Sequence, residues 1–449
     1  MYDEITFEEC KYSKDPIISC ALEGVASVVA GIKEASVVIH SPQGCAATVG
    51  TAYDKHEVDF TKRKIGCTRL FESDVILGAS EKLVNLIKEA DSTFNSKVMF
   101  VIGTCAADII GEDIEGICRE VQSNVNARLI PIMAGGFRGN SYDGLNIGLN
   151  SLLPLIKKFD VKNKKSVNIV APQANSNPTW WSDLKWVIDI FEKLGIKVQT
   201  VLSKDMSIFD LRNAGKASAN IVLSHDAGYE FAQEMQRIHG IPLILDDIPL
   251  PIGLKNTARW LRRLGEYFDV SKEVDTIVKM GEKKVMDLLR KRALMMIPRY
   301  HNCKIVLSAD ATMGIGLIRM LFEELEMIPE VILIRSDIYQ SRNILKNELR
   351  SLGISSAKVA FGVDGYQIKE VLKNTDADAV FGSAWEKYMA KEVGIRIAFD
   401  VLSPTNLDIY VDKPYFGYDG MLNILEVVAN DWERAFRSKE IDSEQYSYK

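Results

Sequence analysis

The sequence predicts an α/β protein of three doubly wound, parallel-sheet domains. Two observations predict it. Short β-branched runs recur along the chain, each followed by a stretch of helical periodicity. That is the pattern of parallel strands covered on both faces by helices. The length of 449 residues also exceeds what one hydrophobic core organises, so several domains are expected.

The elements follow in order. Strands are expected at Ser36–His40 and Val98–Ile102, then a helix at Leu152–Phe159. The polar, basic stretch Lys162–Ser166 reads as a hinge, which bounds a first domain at 1–163. Strands at Val167–Ala171, Val198–Leu202, Asn220–Ser224 and Ile241–Leu245 precede a long helix, Val270–Leu294. That helix carries Lys283, Lys284, Arg290, Lys291 and Arg292 on exposed faces and closes a middle domain, 164–300. Strands at Lys304–Ser308, Glu330–Arg335, Lys358–Phe361 and Ala379–Gly382 build the last domain, 301–449. The polar tail from Ser438 is expected to fray unless docked. Between Ser308 and Gly316 a strand gives way to a helix through a glycine-containing turn, but Arg319 stands where a dinucleotide fingerprint needs its third glycine. Tight strand–helix packing is the expectation there.

Composition excludes several function classes. A net charge of −6 opposes a nucleic-acid surface, which needs a basic stripe. No apolar stretch suits a membrane span. The acidic start, Met1 to Glu9, lacks the basic and apolar regions of a signal peptide, so a cytoplasmic location is expected. Seven cysteines in so long a chain point to ligands or buried thiols rather than a disulfide frame. Cys10, Cys67, Cys118 and Cys303 read as small buried or half-buried side chains. Trp180 and Trp181 read as core or interface anchors.

Cys20, Cys45 and Cys105 differ from those four. Each ends an apolar run or lies in a glycine-containing turn. Their intervals of 25 and 60 residues are too wide for a zinc finger or a Cys-X-X-Cys pair. They suit an iron–sulfur cluster gripped by turns of separate βα units. Composition alone favours three unrelated buried thiols; the surrounding motifs favour the cluster. Gly44 and Gly103 are candidate turns for backbone N–H bonds to cluster sulfur.

The motifs are Cys20-Ala-Leu-Glu-Gly24, His40-Ser-Pro-Gln-Gly-Cys45, Glu72-Ser-Asp-Val-Ile-Leu-Gly78, Thr104-Cys105-Ala-Ala-Asp108-Ile-Ile-Gly111-Glu112-Asp113 and Gly136-Phe-Arg-Gly-Asn-Ser141. In this order they resemble the subunits of nitrogenase component 1, the molybdenum–iron protein superfamily, with its cofactor-assembly and tetrapyrrole-reductase homologues. The family pattern at the second cysteine is His-Gly-Pro/Ser-X-Gly-Cys. The resemblance extends more weakly to Pro414-Tyr-Phe-Gly-Tyr-Asp-Gly420 and so covers nearly the whole chain.

The resemblance implies that Cys20, Cys45 and Cys105 hold a cluster, [4Fe–4S] or a P-cluster-like [8Fe–7S], shared at a subunit interface. A homologous component 1 subunit would complete it, in an α2β2-type heterotetramer or a homodimer. Electrons would come from a separate ATP-dependent iron protein; this chain has no P-loop. The complex would be a nitrogenase-like oxidoreductase or a non-catalytic scaffold for metallocluster assembly, with a second metallocluster in the complex. Two departures bear on that second cluster. Where the family's active-site cofactor hangs from a cysteine and a histidine, this chain has Ser224, followed by His225, and Phe416. Serine is a poor soft-metal ligand and phenylalanine is none. Gly136 occupies the place of an added serine ligand, with Ser141 nearby. His40, Glu72 and Asp74 read as structural groups or as neighbours of the cluster. Asp108, Glu112 and Asp113 read as helix caps or as an acidic edge for a reductase.

Overall fold

The computed structural model describes residues 2–7, 17–171 and 177–444; Cys10 lies outside them. Thirteen strands form three parallel sheets. The first sheet contains β2 (Ala35–His40), β3 (Ile65–Cys67), β4 (Val98–Gly103) and β5 (Arg128–Met133), ordered β3-β2-β4-β5. The second contains β6 (Ser166–Val170), β7 (Lys197–Leu202) and β8 (Ala219–Val222), ordered β7-β6-β8. The third contains β9 (Lys304–Ala309), β10 (Ile328–Ile334), β11 (Lys358–Phe361), β12 (Ala379–Ser383) and β13 (Ile397–Leu402), and β1 (Asp3–Glu4) closes its edge: β1-β11-β10-β9-β12-β13. The α/β expectation with doubly wound parallel sheets holds.

Four strands are absent from the sequence reading: β1, β3, β5 and β13. Each is an edge strand of one of the two larger sheets. Edge strands bury less and signal less. β5 carries Pro131, which pairs beside Val101; proline is tolerated because one side of that strand has no ladder to feed. Two expected elements do not form. Ile241–Leu245 makes only an isolated bridge, Asn220 to Leu243. Leu152–Phe159 gives only a short turn, Leu153–Leu155, after which Ile156 is extended. Here the Lys157 N–H donates to the Arg212 carbonyl at 3.0 Å, so the chain is drawn across to the middle of the molecule. The long helix is longer than expected, Ser271–Tyr300. The C-terminal helix, Gly417–Glu444, continues through Ser438.

Among the described residues the core falls into four clusters, two of which join sheets to other units. The larger joins the second and third sheets through Val167, Ile221, Trp260, Ile305, Phe381 and Phe399. Another joins the first sheet to helix Tyr229–His239 through Val37, Phe100, Phe231 and Met235. In the helix after β9, Ala311–Arg319, a Cβ on Gly314 would come within 2.7 Å of Ile334, and one on Gly316 within 2.6 Å of Ile252. That is the close strand–helix packing expected there. Among the described residues no helix is long and apolar enough to cross a membrane.

Candidate metal centre

The three cysteines occupy equivalent places. Cys20 is the N-cap of helix Ala21–Ala30, Cys45 lies in the first turn of Gln43–Lys55, and Cys105 begins Cys105–Ile110. β2 leads into the second helix and β4 into the third, so both thiols stand at the carboxyl edge of the first sheet. A helix N-terminus favours negative charge, which eases thiolate formation.

Cys20 is brought to that edge by backbone pairing. It bridges Asn140; Ala21 N–H donates to the Gly139 carbonyl at 3.0 Å and Ser141 N–H to the Ser19 carbonyl at 2.8 Å. Behind it, helix Ala21–Ala30 packs almost backbone to backbone on helix Ser141–Asn150. A Cβ on Gly24 would lie 2.1 Å from the Ser141 carbonyl oxygen, and one on Gly144 would lie 2.0 Å from that of Ala21. No larger residue fits this crossing.

All three thiols are half-buried. Burial raises the Cys45 pKa first, and the neighbouring charges of Cys20 and Cys105 raise it further, while hydrogen bonds from Thr104 and Ser41 oppose the rise. The three sulfurs therefore share one electrostatic neighbourhood. Gly136 stands between two of them. Its N–H donates to Cys105 Sγ at 2.8 Å. A Cβ there would stand 3.4 Å from Cys105 Sγ and 3.6 Å from Cys20 Cβ, in the gap between the two. This N–H thus meets a candidate ligand sulfur. Gly44 faces open space, and Gly103 instead leaves room for Met133.

Among the described residues, no group of three or more His, Cys, Asp or Glu side chains could hold a single metal ion. Cys20 and Cys105 both act electrostatically on Cys45, and Gly136 lies between Cys20 and Cys105.

The surrounding carboxylates are engaged. Glu112 caps helix Ser80–Phe94, accepting from Ala79 N–H at 2.7 Å and Ser80 Oγ at 2.6 Å. Asp113 caps the next helix through Gly116 N–H at 2.9 Å. Asp108 pairs with Arg138 at 2.9 Å. Asp74 accepts from Phe71 N–H at 2.7 Å and pairs with Lys82. The cap reading holds for Glu112, Asp113 and Asp74. The rim is instead apolar: Ile76, Leu77 and Phe137 are 81%, 84% and 71% exposed, with Phe71 and Ile109 beside them. His40 departs from the sequence expectation. It is fully buried, and neither ring nitrogen has a hydrogen-bond partner. Burial lowers its pKa and keeps it neutral.

The middle of the molecule contrasts with this edge. Ser224 Oγ lies 3.1 Å from Thr312 Oγ1 and accepts from Asp226 N–H at 3.0 Å. Buried Asp226 accepts from Ala311 N–H and Thr312 N–H, both at 2.8 Å, and from the hydroxyls of Thr312 and Ser336. It thereby ties the loop after β8 to helix Ala311–Arg319. His225 is buried and bonded through Nδ1 to Tyr229 Oη at 2.7 Å; burial lowers its pKa to about 3. Phe416 is buried, its N–H held by Asp183 at 2.8 Å. Burial pushes the Asp183 carboxyl up to about 6, against four hydrogen-bond donors. The cavity that Leu223, Phe416, Trp180 and Asp183 line is about 20 Å³. Neither the side chains nor this space fits a metallocluster hung from Ser224 and Phe416.

Sequence reasoning missed Gly136 as a donor, the Asp226 tie and the apolar rim. The glycine and the rim could have been suspected from Gly135-Gly136 and from Val75-Ile76-Leu77. The tie spans 85 residues and leaves no local signal.

Comparison with known proteins gives one consistent answer. The family described as "Nitrogenase component 1 type Oxidoreductase" matches residues 20–433. The chain is 24% identical over 420 residues to a nitrogenase iron-molybdenum cofactor biosynthesis protein NifE of Methanococcus maripaludis, covering 91% of this chain and 82% of that protein. It is 24% identical to a nitrogenase molybdenum-iron protein alpha chain of Methanothermobacter thermautotrophicus, covering 90% and 85% respectively. A solved structure titled "Nitrogenase Cp1 at pH 6.5" superposes with a TM-score of 0.79 at 18% identity, covering 96% of each chain.

Proposed function

We propose that this chain, which belongs to the nitrogenase component 1 type oxidoreductase family, holds an iron–sulfur cluster through Cys20, Cys45 and Cys105. Its role would be to relay electrons, within a complex with a homologous subunit, from an ATP-dependent iron protein to a reductive site. The observation that supports this reading is that three half-buried thiols lie in one electrostatic neighbourhood, with Gly136 between Cys20 and Cys105. When bound, such a cluster supplies one-electron transfer at low potential.

The chain's own residues do the rest. Gly136 N–H donates to Cys105 Sγ. Three thiolates leave a four-iron cluster one protein ligand short, so the partner subunit would supply the remainder. The exposed apolar rim of Phe71, Ile76, Leu77, Ile109 and Phe137 is what such a partner would cover. The domain limits 1–163, 164–300 and 301–449 would give each parallel sheet its own unit apart from β1, which crosses from the first unit to edge the third sheet, and the first unit would carry the ligands. A cytoplasmic setting accords with free thiols.

A second reading has a specific observation behind it. The small cavity at Phe416, about 20 Å³, leaves no room among the described residues for a second cluster at that anchor. In that reading the pair of subunits is a scaffold on which a metallocluster is built. Anaerobic co-purification with the homologous subunit, followed by iron analysis and electron paramagnetic resonance, tests the cluster. Iron on the complex together with turnover of a reducible substrate supports the oxidoreductase; iron with transfer of a metallocluster to an acceptor and no turnover supports the scaffold. A complex devoid of iron would sink both.

A further inference from the structure

We infer that the cavity between helices Ala384–Val393 and Gly417–Glu444, beside the edge strand β13, binds a small polyanion, a molecule with two or more phosphate or carboxylate groups. The inference is independent of the cluster and of the ligands assigned above. The cavity measures about 490 Å³, within the range of small-molecule sites. Four cations line it, Lys387, Lys391, Arg396 and Arg434, against one carboxylate among the described residues, Asp431. The whole chain carries a net charge of −6, so this local excess of positive charge runs against the composition.

The fold builds this arrangement from three elements. Lys387 and Lys391 lie one turn apart on helix Ala384–Val393 and so share a face. That helix ends at Gly394, whose φ of 88° turns the chain back and brings Arg396 to the same cavity just before β13 begins. Arg434 comes from the C-terminal helix. Asp431 fixes two of the four. Its side chain is 2% exposed, and its Oδ2 accepts from the Asp400 N–H of β13 at 2.8 Å. Its Oδ1 meets Lys387 Nζ at 3.1 Å and Arg434 Nη1 at 3.3 Å. One buried carboxylate thereby holds two cations from different helices side by side, and its single charge offsets only one of them.

A neighbouring cavity supplies the contrast. It measures about 300 Å³ and shares Arg434 as part of its wall. Its cations, Lys413 and Arg434, are matched in the same lining by Asp408 and Glu426, and Lys413 lies 3.1 Å from Glu426. The lining of the larger cavity keeps a positive excess after Asp431 is counted. Charges of one sign around a concave wall focus the potential and raise the local concentration of counter-ions. Repulsion among the four cations falls when an anion enters, and lysine and arginine form charge-assisted hydrogen bonds to phosphate or carboxylate oxygens. Spread over three elements, these cations suit a ligand with several anionic groups better than a monoanion. Tyr388, 60% exposed, and Asn406 add neutral donors to the lining.

The test is calorimetric titration of pyrophosphate and, separately, of citrate into the anaerobic complex with its homologous subunit, at low salt. At least one probe should bind at one site per chain, and added salt should weaken it. Tighter pyrophosphate identifies a phosphate ester as the ligand type, and tighter citrate a polycarboxylate; either supports the site. Lys391→Gln should weaken binding about tenfold, the loss of one charge-assisted bond, and Lys391→Glu should abolish it. Lys413→Gln, in the balanced cavity, should leave it unchanged. Lys391 is exposed, so each variant should melt at the wild-type temperature; if Lys391→Glu does not, Lys391→Gln decides. Binding of neither probe to the wild-type complex would overturn the inference. So would unaltered binding in the Lys391 variants, or an equal loss in Lys413→Gln.

Discussion

The cysteine edge of the first sheet and the cleft beside the second sheet occupy the same topological place. Both lie at the carboxyl ends of parallel strands, where α/β proteins put their ligands. At the first, small residues hold space open: Gly136 leaves a gap, and half-buried sulfurs line it. At the second, side chains close the space. Ser224 bonds to Thr312, Asp226 ties the loop to a helix of the next sheet, and Phe416 fills the wall. The fold offers both positions, and the side chains decide which can take a cluster.

Four variants sharpen that comparison. The largest effect belongs to Gly24→Ala. Its methyl meets the Ser141 carbonyl and would force apart the helices that place Cys20; overpacking of this kind costs about 3 kcal/mol. Thermal denaturation should show the loss, and iron should fall with it. Asp226→Ala strikes the other region. Two backbone N–H groups and two hydroxyls lose their buried acceptor, at a cost of about 2–3 kcal/mol. Iron per complex should stay at the wild-type value, so loss of iron would mean the two regions are not independent. Glu112→Ala removes a helix cap and should cost about 1 kcal/mol. As a cap it should leave ATP-dependent reduction unchanged. Slower reduction at unaltered stability would instead restore the acidic edge as a docking surface. The smallest effect is expected from Ser224→Cys combined with Phe416→His. Ligands set in a closed, unsupported cavity bind metal poorly, so metal analysis should find no additional cluster.

Much of this was legible in the residues. Buried central strands such as β4 and β9 announce themselves by apolar runs, Val98–Ile102 and Ile305–Leu307. The edge strands β1, β3, β5 and β13 do not, because short or half-covered strands carry weaker patterns and β5 even tolerates Pro131. Cys20, Cys45 and Cys105 stood out because each lies in a recognisable turn. The carboxylates after Cys105 could be read two ways in sequence. Only the contacts of Glu112 with Ala79 and Ser80 distinguish a cap from a free acidic surface.

The central claim is that three thiols of this chain hold one cluster. Iron should be counted, and the paramagnetic spectrum recorded, on the anaerobic complex carrying Cys45→Ala and, separately, Cys20→Ala and Cys105→Ala, with Cys118→Ala as a buried-thiol control. The account predicts that each of the first three loses most of its iron and changes its spectrum, while Cys118→Ala matches wild type. Full iron and an unaltered spectrum in Cys45→Ala would contradict it.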